Sequence, residues 1–236
     1  MKKKVLLTLL LVVSLFTLTG CIEEKEITDA ERFKEEYESL NNVKRQKDGK
    51  KIRAITIPKD NPYQYITPAE LINKLDNKDT FVVYFGFAEC PWCRSILPIL
   101  TEVASDLDVT TIYYVDIQDI RDTIELNESN EITTTKKATK DYYELLKKLD
   151  KVLEDYTIYD ENGNEIDTNE KRIYAPNVIS IVDGNVKELE TGISDKQTDP
   201  YMELTEEIKA DTYNKFKCVI KCVLENKDVC TSKKSC

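Results

Sequence analysis

The chain has 236 residues, with 34 Lys and Arg against 44 Asp and Glu and a formal net charge of −10. This length is enough for one domain with its own core, and the acidic balance argues against nucleic acid as a partner. The chain contains no histidine, which excludes histidine-based catalytic triads, Cys-His proteases, haem ligation by histidine and histidine-containing zinc sites.

Residues 1–20 are predicted to be an export signal. Lysines at positions 2–4 precede an apolar run at 5–18, which is too short to span a bilayer comfortably and has the length of a secretory signal. The Leu-Thr-Gly-Cys at 18–21 resembles a bacterial lipobox. The resemblance implies cleavage before Cys21 and its acylation, which would anchor the protein in the lipid membrane on the extracytoplasmic face. An uncleaved signal anchor and a plain cleaved signal are the alternatives.

Residues 21–51 are mostly charged and polar, and we interpret them as a tether that contains one short helix. Thr28 and Glu31 have the spacing of a capping box, and apolar residues follow at helical intervals. These apolar residues are Ala30, Phe33, Tyr37 and Leu40. A tether would hold the following domain away from the membrane. The alternative is an N-terminal helix that packs on the domain.

A single α/β domain is predicted over residues 52–236. Residues 52–57 alternate in hydrophobicity, which predicts a strand. Thr67, Pro68 and Glu70 then mark the start of a helix, because they supply a capping hydroxyl, a proline at the first helical position and the acid of a capping box.

Two predicted buried strands flank a cysteine-containing helix. Residues 80–87 and 110–117 are short apolar runs rich in β-branched and aromatic side chains, which is typical of central strands. The helix between them carries apolar residues from Ile96 to Ala104. A strand, a helix and a strand within about forty residues predict a βαβ unit with a right-handed crossover.

The remaining segments complete the predicted order βαβαβαββα. Residues 118–172 are polar and are interpreted as an insertion, with one helix at 139–156 and an Asn-Gly turn at 162–163 between two short strands. Residues 177–190 surround Asp-Gly-Asn and predict a hairpin. A last helix is predicted at 201–224, followed by a cysteine-containing tail.

The motif that carries chemistry is Cys90-Pro91-Trp92-Cys93, at the junction of a predicted strand and a helix. Backbone N–H groups and the helix dipole favour an anion there, so Cys90 is expected to be the nucleophilic thiolate. Cys93 would then displace the mixed disulfide, and the pair would cycle between dithiol and disulfide. A zinc knuckle and a structural disulfide are the alternatives, although a knuckle needs a second pair of ligands.

Residues 81–100 resemble the strand, active site and first helix of thioredoxin-family proteins, and the resemblance extends over 52–224 with an insertion. Pro98 falls where the family kinks its helix, and Ala175-Pro176 matches the family's cis-proline. The resemblance implies an α/β, thioredoxin-like three-layer fold with a central mixed β-sheet flanked by helices, and a helical insertion before the cis-Pro strand. Lipoprotein and bacteriocin-transport-accessory-like thioredoxins are similar in the style of these segments.

The resemblance also assigns substrate-binding residues. The backbone at Ala175 and Pro176 would face the active-site disulfide and the peptide substrate. Trp92, the only tryptophan of the chain, would add an apolar docking surface beside Cys90. Packing of an exposed side chain is the alternative interpretation of Trp92.

Two departures from the family concern proton transfer. Thioredoxins use a buried Asp on the strand before the active site and a Lys on the next strand as a proton relay. The matching positions here hold Tyr84 and Tyr114. Glu89, beside the nucleophile, is the nearest acidic substitute, so Glu89 and Tyr84 are the candidate relay residues. A solvated loop acid is the alternative interpretation of Glu89.

Four cysteines lie near the C terminus, at positions 218, 222, 230 and 236. They allow three pairings. We favour the nested pairing Cys218–Cys236 with Cys222–Cys230, which would form a clasp over 218–236 and pin the terminus by closing a loop. A structural zinc site and a second redox centre that exchanges electrons with the active-site pair are the alternatives.

These patterns together predict a membrane-anchored, extracytoplasmic thiol–disulfide oxidoreductase. Its substrates would be exported cysteine-containing proteins, its electrons would pass to or from a membrane or extracellular redox partner, and it would need no metal and no dissociable cofactor. The direction of transfer stays open, with a reductase or accessory role favoured. The alternatives are a binding or assembly lipoprotein with little redox turnover, and a metal chaperone, which the scarcity of methionine and the lack of histidine weaken.

Overall fold

The structure is a computed structural model that describes residues 26–46 and 48–225. Its helices are α1 (Asp29–Glu38), α2 (Pro68–Asp76), α3 (Pro91–Asp106), α4 (Lys140–Leu149) and α5 (Glu206–Leu224). Its strands are β1 (Tyr63–Tyr65), β2 (Phe81–Gly86), β3 (Ile112–Asp116), β4 (Thr123–Leu126), β5 (Ile132–Lys136), β6 (Glu154–Tyr159), β7 (Glu165–Arg172), β8 (Asn177–Val182) and β9 (Asn185–Glu190).

A mixed five-stranded sheet forms the centre of the domain, with the strand order β1-β3-β2-β8-β9. The strands β1, β3 and β2 are parallel to one another, whereas β8 is antiparallel to both β2 and β9. Every residue of β2 and of β8 is buried, which explains why the residues of β2 form an apolar run rather than alternating with polar ones. The predicted hairpin turns at Asp183 and Gly184, both at positive φ.

Helices cover both faces of this sheet. Successive strand side chains point to opposite faces, so Val82 and Tyr84 of β2 pack with α1, α3 and α5, while Val83 and Phe85 pack with α2 and α4. The result is an α/β fold with a mixed sheet between two helical layers, which confirms the predicted fold class at that level.

The helix α1 begins where the capping pattern predicts. The Thr28 side chain accepts a hydrogen bond from the Glu31 N–H, and the Glu31 carboxylate accepts one from the Thr28 N–H. Phe33 and Tyr37 are fully buried against the sheet. Residues 29–38 are therefore part of the domain core, as in the alternative of a packed helix, rather than a spacer ahead of it.

The strand predicted at residues 52–57 is not formed, and this prediction was wrong. Ile55 and Ile57 are buried as expected, but their backbone groups form hydrogen bonds with side chains from the α1 region. Asn41 bonds both the N–H and the C=O of Ile55, and the Glu38 carboxylate accepts from the Ile57 N–H at 2.8 Å. These contacts occupy the groups that a sheet would need, and the edge strand β1 lies further along the chain.

The insertion at 118–172 contains more strand than its polar sequence predicted. Two hairpins, β4–β5 and β6–β7, flank α4. Pairing of β6 with β7 ends the helical part at Leu149 instead of residue 156. The predicted Asn-Gly turn connects β6 to β7, with Gly163 at φ +80°. The last helix begins after the capping residue Thr205 rather than at residue 201.

Several sequence predictions lie outside the described residues. They are the export signal at 1–20, the lipidation site Cys21, and Cys230 and Cys236 of the predicted clasp. Within the described part of the chain, no helix combines the length and the apolarity needed to cross a membrane.

Candidate functional site

Cys90 caps the N terminus of α3. Its backbone is extended, with φ −65° and ψ 116°, and Pro91 occupies the first helical position, where a missing N–H has no cost. The Cys93 backbone N–H donates to the Cys90 Sγ at 3.2 Å. Burial raises the pKa of the Cys90 thiol, but hydrogen bonds from the Cys93 side chain and from the Cys93 and Trp92 N–H groups, together with the Arg121 charge, bring it below its ordinary value.

Cys93 lies one turn inside α3 and is fully buried. Burial raises the pKa of its thiol well above the ordinary value, and the hydrogen bond and negative charge of Cys90 raise it further. A hydrogen bond with the Tyr84 hydroxyl acts in the opposite direction. Neither cysteine is in a disulfide. Their surroundings favour the thiolate at Cys90 and the thiol at Cys93.

The peptide bond between Ala175 and Pro176 is cis, as the resemblance implied. It immediately precedes β8, which is paired with β2, the strand that leads to the cysteines. The Cys90 thiol donates to the Ala175 carbonyl oxygen at 3.3 Å. The predicted substrate-binding backbone therefore lies directly beside the predicted nucleophile.

Trp92 and Glu89 flank the cysteine pair in different environments. Trp92 is half-buried and packs against the core cluster that contains both cysteines. Glu89 is exposed, and its charge acts on Arg45. The buried position of Cys93 separates it from an acid on the solvent side, so this geometry favours the interpretation of Glu89 as a solvated loop acid.

Tyr84 and Tyr114, which occupy the two departing positions, are fully buried and stack on each other with centroids 5.5 Å apart. The Tyr84 hydroxyl lies 3.1 Å from that of Tyr37. A Cβ at Gly86 would lie 2.2 Å from the Tyr84 hydroxyl. A residue larger than glycine at this position would therefore collide with the tyrosine.

Arg121 is a functional candidate that sequence reasoning missed. It comes from the insertion, its guanidinium lies 5.1 Å from the Phe87 ring centroid, and its charge lowers the pKa of Cys90. The adjacent Asp122 forms a buried ion pair with Arg172 at 2.5 Å. Arg172 precedes the cis-proline by four positions, so this pair connects the Arg121 segment to the chain that leads to the cis-proline. The polar context of Arg121 gave no signal for this.

Arg94 is a second residue that the sequence did not single out. It is fully buried directly after Cys93. Its guanidinium donates to four uncharged acceptors at 2.6–3.0 Å. These are the carbonyl oxygens of Arg53, Tyr37 and Ala88 and the Asn41 side-chain oxygen. Through these hydrogen bonds, Arg94 connects the segment before Cys90 to the α1 region and to the backbone at Arg53.

The C-terminal cysteines are described only in part. Cys218 and Cys222 lie on α5, and Cys222 is disulfide-bonded. The nested pairing with residues outside the described range stays a prediction. Within the ranges 26–46 and 48–225, no group of three or more Cys, Asp or Glu side chains is arranged to hold a metal ion. A surface pocket of about 620 Å³ lies between α4 and the β6–β7 hairpin, and its lining contains no cysteine.

The site thus consists of a thiol with a lowered pKa at a helix N terminus, a buried second thiol, and a cis-proline backbone in contact with the first. Comparison with models of known protein families gives no match for this chain. Comparison with curated proteins gives no match either.

Proposed function

We propose that this chain is a membrane-anchored, extracytoplasmic thiol–disulfide oxidoreductase with a thioredoxin-like fold. The observation that carries the proposal is the contrast between Cys90, which caps α3 and accepts the Cys93 N–H at 3.2 Å, and the fully buried Cys93. These surroundings lower the pKa of the first thiol and raise that of the second. The thiolate is the reactive form in disulfide exchange. Such a pair provides one thiol that attacks as a thiolate and a second that stays protonated until the resolving step. A purely structural disulfide does not require this difference.

In the reductive direction, the Cys90 thiolate attacks a disulfide of an exported protein. A bond forms between Cys90 and one substrate sulfur, and the other substrate sulfur leaves as a thiolate. Cys93 then loses its proton and attacks the Cys90 sulfur, which releases the second substrate thiolate and leaves a Cys90–Cys93 disulfide. The oxidative direction is the reverse of these steps, and a membrane or extracellular redox partner restores the starting state.

The substrate-facing side of the site supports a protein substrate. The cis-proline backbone contacts the Cys90 sulfur, and the half-buried Trp92, between the two cysteines, adds apolar surface. The sheet order is β1-β3-β2-β8-β9, with β8 antiparallel to β2. This order supports the thioredoxin-like assignment, because the cis-proline then lies next to the end of the strand that leads to the cysteines.

The membrane anchor is proposed from the sequence at 1–21, and acylation of Cys21 has a direct test. We expect the full chain expressed in a bacterium to partition into the detergent phase and the Cys21→Ser variant to partition into water or to remain uncleaved. Mass spectrometry of the N-terminal peptide distinguishes these products. An unmodified N terminus at another position would reject lipidation and leave a plain signal peptide.

A second candidate function is a binding or assembly lipoprotein with little turnover. The observation that favours it is the burial of the nucleophile, since Cys90 is only 3% exposed. Attack on a disulfide in a large substrate requires access to the sulfur, so a permanently covered Cys90 would limit the protein to docking.

The reduction potential of the Cys90–Cys93 pair distinguishes these two functions. The full chain in detergent is equilibrated with glutathione or dithiothreitol mixtures, and the two cysteines are followed by mass-resolved alkylation. We expect a reversible potential between about −120 and −270 mV, the span of known exchange catalysts. A pair that resists reduction below about −300 mV would be structural, and the binding function would then replace the enzymatic one.

A further inference from the structure

The resolving step raises a question about where the Cys93 proton goes. Cys93 is fully buried, and a thiol must lose its proton before it attacks a disulfide. The exposed Glu89 lies on the solvent side of the motif. A route through the interior of the protein is the alternative.

A set of buried tyrosine hydroxyl groups lies beside Cys93 in the same core cluster. The Tyr84 hydroxyl lies near enough to the Cys93 thiol to lower its pKa, and it is 3.1 Å from the Tyr37 hydroxyl in a contact where either oxygen can donate. The rings of Tyr37 and Tyr114 pack edge to face with centroids 6.2 Å apart, and burial raises the pKa of both hydroxyls. All three tyrosines are fully buried.

The set ends at a carboxylate. The Tyr114 hydroxyl donates to Glu36 Oε1 at 3.2 Å, and the Tyr65 hydroxyl donates to Glu36 Oε2. Glu36 lies on α1 and is half-buried, so its carboxylate contacts both the buried tyrosines and the solvent side. The charged groups that face this set are Arg94 from α3, Asp116 at the end of β3, and Arg32, whose guanidinium lies 3.9 Å from the Tyr65 ring centroid.

We infer that Tyr84, Tyr37 and Tyr114 conduct the proton of Cys93 to Glu36, which acts as the acceptor in the resolving step. This inference rests on the proposed function. Each hydroxyl accepts one proton and releases its own to the next, so no tyrosine becomes an anion. The Cys93 thiolate forms the bond to Cys90, the bond from Cys90 to the substrate breaks, and the substrate leaves as a thiolate. Glu36 then releases the proton to solvent.

The test separates attack from resolution in a single turnover. Reduced full-length protein in detergent is mixed with an aryl disulfide, dithiobis(nitrobenzoate), and the release of nitrothiobenzoate is followed by its absorbance. A first equivalent reports attack by Cys90, and a second reports displacement by Cys93. The Cys90→Ser variant gives the background from the other cysteines.

We expect Tyr84→Phe, Tyr37→Phe and Glu36→Gln to leave the first phase within about twofold and to slow the second by about tenfold or more, since a positioned acid–base group contributes about 10²–10⁴-fold. In D₂O the second phase of the native protein should slow more than the first, and this difference should shrink in the variants. The matched control is Tyr63→Phe, because the Tyr63 hydroxyl is in the same aromatic cluster but bonds Thr101 at 3.0 Å.

Three results would overturn the inference or its basis. Unchanged second phases in Tyr84→Phe and Glu36→Gln would show that the proton leaves by another route. Equal slowing in Tyr63→Phe would assign the effect to packing. If the native protein releases no second equivalent, the proposed redox function itself fails, and this outcome is distinct from the other two.

Discussion

Cys90 and Cys93 are one helical turn apart, yet their surroundings shift their thiol pKa values in opposite directions. We expect Cys90 of the reduced protein to be alkylated by iodoacetamide at a pH below the ordinary range for thiols, because only its thiolate is favoured there. Cys93 should stay unmodified until the pH exceeds that range. Peptide mapping by mass spectrometry measures both profiles, and coincident profiles would contradict the division of roles.

The contribution of Arg121 to the lowered pKa of Cys90 can be tested in the same experiment. Its charge favours the Cys90 thiolate, so the Arg121→Gln variant should shift the Cys90 profile to higher pH and leave the Cys93 profile in place. Arg32→Gln, which changes an exposed arginine on α1, should shift neither profile. An unaltered Cys90 profile in Arg121→Gln would leave the helix N terminus as the source of activation.

Arg94 should contribute more to stability than a surface arginine. Removal of its guanidinium in Arg94→Met deletes its buried hydrogen bonds to Tyr37, Ala88 and Asn41, which should lower the free energy of unfolding by about 3 kcal/mol or more. Arg94→Lys should recover only part of this, because an ammonium lacks the planar fork of donors. Denaturant unfolding measures both, with the exposed Arg32→Met as the control. Equal losses at the two arginines would contradict this role.

The sequence identified the residues whose chemistry depends on local context. A cysteine pair between an apolar run and a helix start is visible without any tertiary information, and so is an X-Pro before a strand. Arg94 and Arg121 were missed because an arginine in a helix or a polar segment is normally solvated. Their placement depends on contacts with residues distant in sequence, such as Arg53 for Arg94 and Phe87 for Arg121.

At the scale of elements, α1 should be necessary for folding of the domain rather than for spacing. Phe33 stacks on Tyr63 with centroids 4.1 Å apart and is fully buried. Phe33→Ala should therefore cost about 3–5 kcal/mol in the free energy of unfolding. The control Glu35→Ala, at an exposed position of the same helix, should change it by less than about 0.5 kcal/mol. Similar small effects at both positions would restore the tether interpretation.

Elements with strong local signals were predicted correctly, whereas those that depend on partners were not. Thr67 and Glu70 form the capping box that their spacing predicts, because a cap involves only neighbours. Residues 52–57 have the alternation of a strand, but the Asn41 and Glu38 side chains satisfy their backbone. The β4–β5 hairpin has a largely exposed β5, so it lacks the apolar pattern from which a strand is predicted.

At the scale of the whole molecule, a buried ion pair joins the two ends of the insertion beside the site. Arg172 donates to the Asp122 carboxylate and also to its carbonyl oxygen, and both side chains are less than 10% exposed. This pair joins the segment that carries Arg121 to the strand end that leads to Pro176. The insertion therefore contributes to the environment of Cys90, although its own surface carries no cysteine.

This attachment leads to a prediction about coupling. A double-mutant cycle on Asp122 and Arg172, each changed to Ala, should give a coupling free energy of about 2 kcal/mol or more, because loss of one partner leaves a buried charge. The control pair Lys148–Asp76 has a similar 2.5 Å contact between α4 and α2 but is 26% and 58% exposed, so its coupling should stay below about 1 kcal/mol. The Arg172→Ala variant should also shift the Cys90 alkylation profile to higher pH, since the Arg121 segment loses its anchor. Equal couplings for the two pairs, with an unshifted Cys90 profile, would mean that this ion pair does not hold the Arg121 segment beside Cys90.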